Sequence, residues 1–349
     1  MLDRANLIML MKTVSKANPA SPTAYSFNGE SLSYEALNET LRKELNELAG
    51  SYALYRENKN LIFSIIEEVI DDVLPAKVAD FYSKFAEVRN FKQGDKPLFR
   101  RKVNARNRAK QFVTRVGLAG VYEVFKLGGS ESFEVPTSAI GAAAQIGFEE
   151  FLDGRVDWSE LYDIIIEGMD ELIQVEIAKS LVASMDQLPA NNKHSENGFN
   201  ETHFDRLISI ASAYGTPVIY CTNEFAAKMI PGTDWGRWSD NMKEEYWKNG
   251  RFANYKNTQV VIIPQGFTDE TNSTKVIDPG YCWIIPTGGD NKPVKIAFEG
   301  QTALREVDSN ADWSKEVHVY KKVGVVTMMT NDICVYVDED LAGKFDVVA

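Results

Sequence analysis

Apolar residues recur at helical spacing in three stretches of this chain. Between Glu35 and Leu48 the positions Leu37, Leu41, Leu45 and Leu48 share one face, with Ser33 three residues before Ala36 as a cap. Leu61 to Leu74 repeats the pattern through Ile62, Ile65, Ile66, Val69 and Ile70, and Pro75 is expected to stop it. The longest stripe runs through Tyr162, Ile166, Met169, Ile173, Ile177, Leu181 and Met185. Asp157 is its predicted N-cap, with Glu160 in a capping-box arrangement, and a helix from Trp158 to about Asp186 would span roughly 43 Å.

Between these helices the period changes. From Phe99 to Pro136, β-branched and aromatic runs such as Phe112-Val113-Thr114 and Val121 to Phe125 are broken by Gly117, Gly120, Gly128 and Gly129, which predicts a long hairpin. Its arms alternate poorly and carry dense charge, so it is expected to project and lie on another surface. Residues 137–152 read as a connector containing a strand. Past a polar loop at 190–200 the pattern is α/β: helices over 202–213, 223–230 and 241–247, and strands over 217–222, 258–263 and 281–285. Val317–Met329 and Ile333–Val337 are expected to pair as a hairpin across Thr330-Asn331-Asp332.

The 349 residues, 44% of them hydrophobic, suffice for one large or two ordinary cored domains. A net charge of -12 argues against wrapping nucleic acid over most of the surface. Cys221, Cys282 and Cys334 lack the paired spacing of a zinc site or disulfide framework and read as buried, reduced thiols. The apolar stretch Leu7–Met11 is too short for a signal segment or a membrane span, so a soluble protein of the cytoplasm is expected.

Charge is distributed unevenly. Phe99–Val116 holds seven bases and no acid: Arg100, Arg101, Lys102, Arg106, Arg108, Lys110 and Arg115. Glu149–Glu176 holds ten acids against Arg155, among them Asp157, Glu160, Asp163, Glu167, Asp170 and Glu171 on the predicted long helix. Opposite fields on separate elements of one chain can pair between copies of it, which makes both segments candidate subunit interfaces. The aromatics among the bases are too few for a base-stacking platform.

Candidate chemistry is sparse. Phosphate-loop, nucleophile-elbow, HExxH and EF-hand patterns are absent. His194, His203 and His318 fall in separate segments, so a metal site or catalytic base would have to be assembled across them. A Cys221–His203 dyad has nothing at sequence level to activate the thiol. Asp71-Asp72 and Glu149-Glu150 read as solvated carboxylates, and Trp235, Trp238 and Trp247 with Tyr246 and Phe252 as packing or contact aromatics. Three glycosylation patterns, beginning at Asn38, Asn200 and Asn272, have no meaning without secretion. No catalytic residue, metal or cofactor is predicted.

The order of parts is a helical arm, a charged hairpin, and a strand leading through Phe148-Glu149-Glu150-Phe151-Leu152-Asp153-Gly154-Arg155-Val156-Asp157 into a long acidic helix. An α/β region and a final β return follow. Over about residues 60–341 this resembles the major capsid protein of tailed phages, the Hong Kong ninety-seven type fold. The resemblance implies an α+β protein with an N-terminal arm (1–97), an extended loop (98–136), a peripheral domain (137–202) with its spine helix over 157–186, an axial domain (203–300) and return strands of the peripheral domain (301–349). It implies a non-enzymatic shell protein, self-assembling into hexamers and pentamers of an icosahedral capsid around double-stranded DNA. The partners it implies are further copies, portal, scaffolding and cement proteins, with DNA held without sequence-specific contact and no membrane. The location would be the virion capsid, assembled in the host cytoplasm. Lys102, Lys110 and Lys126 lie on the extended loop, where some relatives form an isopeptide crosslink, but no motif selects one and crosslinking is not predicted. An encapsulin-type compartment shell, or an α/β enzyme with a pocket in 203–300 near Trp235 and Trp238, are the alternative readings.

Overall fold

A computed structural model describes residues 3–17, 24–83, 86–101, 131–146, 158–229, 240–263, 265–267, 271–287, 292–307, 315–328 and 332–344. Three helices lead: α1 (Arg4–Lys16), α2 (Tyr34–Ala49) and α3 (Tyr52–Tyr82). Asp3, Ser33 and Ser51 accept from the first-turn amides of Arg4, Ala36 and Leu54, which satisfies donors the helices cannot. Between α1 and α2 the strands β1 (Tyr25–Phe27) and β2 (Glu30–Leu32) pair through Asn28 and Gly29, whose φ values of 49° and 84° meet the requirement of a tight hairpin turn.

One expectation for this region is corrected. Pro75 does not end its helix; α3 runs 31 residues with Pro75 inside. An interior proline costs about 3 kcal/mol, and the burial of Val69, Ile70, Val73, Leu74, Val78 and Tyr82 on both sides of it offsets that cost. The leading helices also pack together. Their apolar stripes pack on one another and into the main core together with the long helix α4 (Trp158–Ala183), which buries Ile166, Met169, Ile173, Ile177 and Leu181.

Two sheets carry the rest. In the first, β3 (Ala86–Phe91), β6 (Ser138–Ile146), β12 (Val294–Val307) and β13 (Lys315–Thr327) lie in the order β3-β12-β13-β6. The second contains β7 (Lys193–Glu196), β8 (Thr216–Cys221), β9 (Asn254–Tyr255), β10 (Thr258–Ile262), β11 (Tyr281–Thr287) and β14 (Cys334–Asp338) in the order β7-β14-β11-β8-β10-β9. Side chains alternate cleanly in its central strands. Val218, Tyr220, Trp283, Ile285, Val335 and Val337 face the main core, whereas Ile219, Cys221, Cys282, Ile284, Cys334 and Tyr336 face a second core. That second core is closed by α5 (Glu201–Ser212) and α6 (Asn223–Lys228); the described helix α7 (Asp240–Asn249) follows in the chain.

The expected C-terminal hairpin is not formed. β13 and β14 belong to different sheets, because β13 alternates Val317, Val319 and Val323 against β12 while all five residues of β14 are buried, and such a strand needs neighbours on both sides.

The leading helices are joined to the first sheet by polar contacts. β3 accompanies β12 only as far as Glu299, and beyond it the register of β12 against β13 shifts. There α3 replaces the missing strand. Asp71 accepts from the amide (2.9 Å) and hydroxyl (2.6 Å) of Thr302, and Glu67 from the amide of Leu304 (2.7 Å). The ammonium of Lys321, 2% exposed, also rests on Asp71, and Tyr55 and Lys59 hold Glu306 further along. Asp71 is therefore structural, whereas its neighbour Asp72 is 60% exposed and pairs with Lys12 at the surface. Asp71→Ala leaves a buried ammonium without its counter-charge and is expected to cost about 3 kcal/mol, while Asp72→Ala costs under about 1 kcal/mol. Urea unfolding of both variants checks the contrast.

Candidate assembly surfaces

The two ends of the expected loop over 98–136 are described, and residues 102–130 between them lie outside the described residues. β4 (Leu98–Arg101) pairs antiparallel with β5 (Glu131–Glu134), setting Phe99 opposite Phe133 and Arg100 opposite Ser132. Phe99 is fully buried against Val135 and Ala297 of β12. Phe91 meets its ring edge-on at 5.7 Å and Phe133 stacks at 6.2 Å, while the cations of Arg89 and Lys295 lie 5.3 and 5.9 Å from its centroid. Gly324 is required beside it, since a Cβ there would sit 2.3 Å from the Pro136 carbonyl.

One carboxylate fastens both ends of this segment. Glu299, 8% exposed, accepts from the amide of Gly94, from the hydroxyl of Thr137 and from Lys322. The Thr137 hydroxyl, then the Gly94 amide and Lys322, hold its pKa below the usual carboxylate range. At Glu87 burial acts to raise the pKa, but hydrogen bonds and charge from Lys295 and Arg89 prevail and lower it.

Of the seven basic candidates, Arg100 is exposed on β4 and Arg101 closes the strand; the side chain of Arg101 and all of Lys102, Arg106, Arg108, Lys110 and Arg115 lie outside the described residues. Among the acids, Asp157 and the side chain of Glu160 lie outside them too. Asp163 is half-buried and Glu167 and Glu171 are exposed. Asp170 is turned inward, 9% exposed, and pairs with Lys77 of α3 at 3.2 Å. Ile164 and Leu172, 60% and 43% exposed, share the outer side of α4 with Glu167 and Glu171. Sequence reasoning passed over these two residues; their signal was being apolar while out of step with the stripe through Ile166, Met169 and Ile173.

The candidate chemistry is not drawn together into a catalytic set among the described residues. The three thiols are free and buried. Burial, with Cys221 alongside, raises the Cys282 pKa, and burial pushes Cys334 up to about 12, so neither is an activated nucleophile. His203 stacks on His194, away from the buried Cys221–Cys282 pair. Trp235 and Trp238 lie outside the described residues, Trp247 is exposed, and Tyr246 and Phe252 are in ring contact at 5.7 Å. A cavity of about 300 Å³ beside the end of α4 is lined largely by apolar groups, including Leu181, Val182, Ile277, Tyr281 and Trp283. None of the described helices is long and apolar enough to cross a membrane.

A family model described as "SPbeta prophage-derived putative capsid protein YonB" matches residues 6–337, nearly the whole chain. The chain belongs to the YonB family of prophage-derived capsid proteins. Its role is that of a structural capsid protein. A search of curated proteins found no match. Among solved structures, the capsid-family chain is similar to a phage-related protein from Bordetella bronchiseptica, at 11% identity and a TM-score of 0.49 over 80% of this chain and 97% of that one. It is similar to the satellite phage P4 procapsid, at 11% and 0.49 over 78% and 90%. It is also similar to the SrpI encapsulin of Synechococcus elongatus, at 11% and 0.42 over 74% and 88%.

The lowered carboxylates of this capsid-family chain fix a pH dependence. A group with a depressed folded pKa contributes stability that is fully present above its unfolded pKa of about 4.3 and is lost as pH falls through the folded value. Glu87 and Glu299 both act in this direction. The melting temperature of the wild type is expected to fall more steeply below about pH 4.5 than that of Glu87→Gln/Glu299→Gln, which starts lower at neutral pH. Thermal unfolding across pH 3–7 checks this.

Proposed function

We propose that this chain is a tailed-phage type major capsid protein of the Hong Kong ninety-seven arrangement, whose working ligand is another copy of itself. The family match over residues 6–337 carries the reading. In it the four-stranded sheet with α4 forms the peripheral domain, and the six-stranded sheet with α5 and α6 forms the axial domain at the capsomer centre. Residues 98–136 form an extended loop that crosses onto a neighbouring subunit. Hexamers and pentamers so joined close into an icosahedral shell around double-stranded DNA in the host cytoplasm, with portal, scaffolding and cement proteins as further partners. The protein works by geometry and carries out no catalysis.

Two features of the subunit support loop-to-helix docking. The base of the segment is fastened by Phe99 and Glu299, which ties both of its described ends to β12. The outer side of α4 offers Ile164 and Leu172 beside Glu167 and Glu171, an apolar and acidic surface suited to a basic strand segment. Asp170, already paired with Lys77, is left out of this interface.

Single exposed pairs contribute only about 0–1 kcal/mol, so reversal must be collective. Arg100, Arg101, Arg106 and Arg108 all changed to Glu should leave a folded subunit that fails to form shells. Adding Glu167→Lys and Glu171→Lys should restore part of the assembly. Sedimentation and negative-stain microscopy read both; normal particles from the four-residue variant would remove charge docking from the account. Particles that copurify with an enzyme cargo in place of DNA would replace the genome-container reading with a compartment shell.

A further inference from the structure

The fold brings two of the three histidines of the chain together with a carboxylate. His194 and Glu196 are two apart on β7, so they share one side of that strand, and His203 stands in the first turn of α5. The Nε2 of His194 is 3.0 Å from Oε2 of Glu196, and the Nε2 of His203 faces the same oxygen at 4.0 Å. The two rings stack with centroids 4.0 Å apart and planes inclined by 24°, so a shared ion requires one ring to turn about its side-chain bonds and bring both in-plane nitrogen lone pairs to one point.

The connection between β7 and α5 is rigid. Tyr336 donates its hydroxyl to the Gly198 carbonyl and accepts from the Asn200 amide, both at 2.9 Å. Asp338, fully buried on β14, accepts from the Gly198 amide at 3.0 Å. Asn200 caps α5 and also donates to the second oxygen of Glu196 at 3.3 Å. The connection that carries the three side chains is thus held to β14 through Tyr336 and Asp338, and a hydrogen-bonded second oxygen is what orients a ligating carboxylate.

We propose that His194, Glu196 and His203 form a binding site for a first-row divalent metal ion, with zinc the best fit. Two imidazole nitrogens and one carboxylate oxygen match its borderline preference. A tetrahedral ion with bonds of 2.0–2.1 Å holds its ligand atoms about 3.3 Å apart, and the separations of 3.0 and 4.0 Å to the shared oxygen bracket that spacing. A hydrogen bond accounts for the first separation but not the second, which is too long for one. The side chains are 20%, 38% and 42% exposed, which leaves the fourth position to water. The ion would join the edge strand of the six-stranded sheet to the helix covering it, independently of the capsid reading.

The test is titration of the full chain, stripped with chelator, with zinc chloride by calorimetry, and with cobalt(II) by visible absorption. One zinc per chain, a tetrahedral cobalt spectrum and a raised melting temperature are expected. His194→Gln, Glu196→Gln and His203→Gln should each weaken binding at least tenfold while circular dichroism of the metal-free variants stays unchanged, and His318→Gln should bind as the wild type does. Absence of saturable one-to-one binding to the wild type would overturn the proposal. So would binding that survives in His194→Gln/His203→Gln.

Discussion

The strand Val294–Val307 serves two faces at once, and the rest of the subunit is arranged around that constraint. Val294, Ile296 and Phe298 point into the main core shared with the long helices. Lys295, Ala297 and Glu299 point the other way and hold the base of the extended segment. Beyond Glu299 the strand loses its parallel neighbour, and Asp71 and Glu67 of α3 take up the amides left exposed. One element thus fixes the leading helices, the sheet and the paired strands β4 and β5 in a single frame. The proposed assembly would draw on that anchoring, because a loop that grips a neighbour transmits geometry only if its root does not move.

Buried charge does much of this joining. Lys321, Lys295, Glu299 and Asp338 are nearly inaccessible, and each has partners placed by a different part of the chain. Such pairs add little net stability over apolar packing, but removing one partner is expensive, so they penalise every alternative docking of α3 or of the loop base. Apolar contacts supply the bulk of the core; the ionic contacts decide which arrangement of these surfaces is adopted.

Much of this was legible in the sequence wherever a single period ran unbroken. The stripes of α2 and α4, the Ser33 cap and the antiparallel root of the 98–136 segment follow from spacing alone. Three features did not follow. Pro75 reads as a stop because local rules ignore the burial that carries α3 past it. β12 was overlooked because its alternation puts Lys295 and Glu299 at buried positions, where polarity suggests a surface loop, and Gly300 interrupts it. The His194–Glu196–His203 group reads in sequence as a polar loop and a helix start, since only the pairing of β7 with β14 sets the three side by side. The Asn28-Gly29 turn, by contrast, was an available local signal that went unused.

In the proposed capsid a loop rooted on β12 of one subunit rests on the acidic outer side of α4 in the next. Electron cryomicroscopy of particles assembled from the purified full chain tests it most directly. The expected result is closed shells in which the basic side chains of 99–116 lie against Glu167 and Glu171 of a neighbouring copy, with Ile164 and Leu172 covered. A chain that stays monomeric under all assembly conditions, or shells in which that segment folds back on its own subunit and leaves α4 bare, would contradict it.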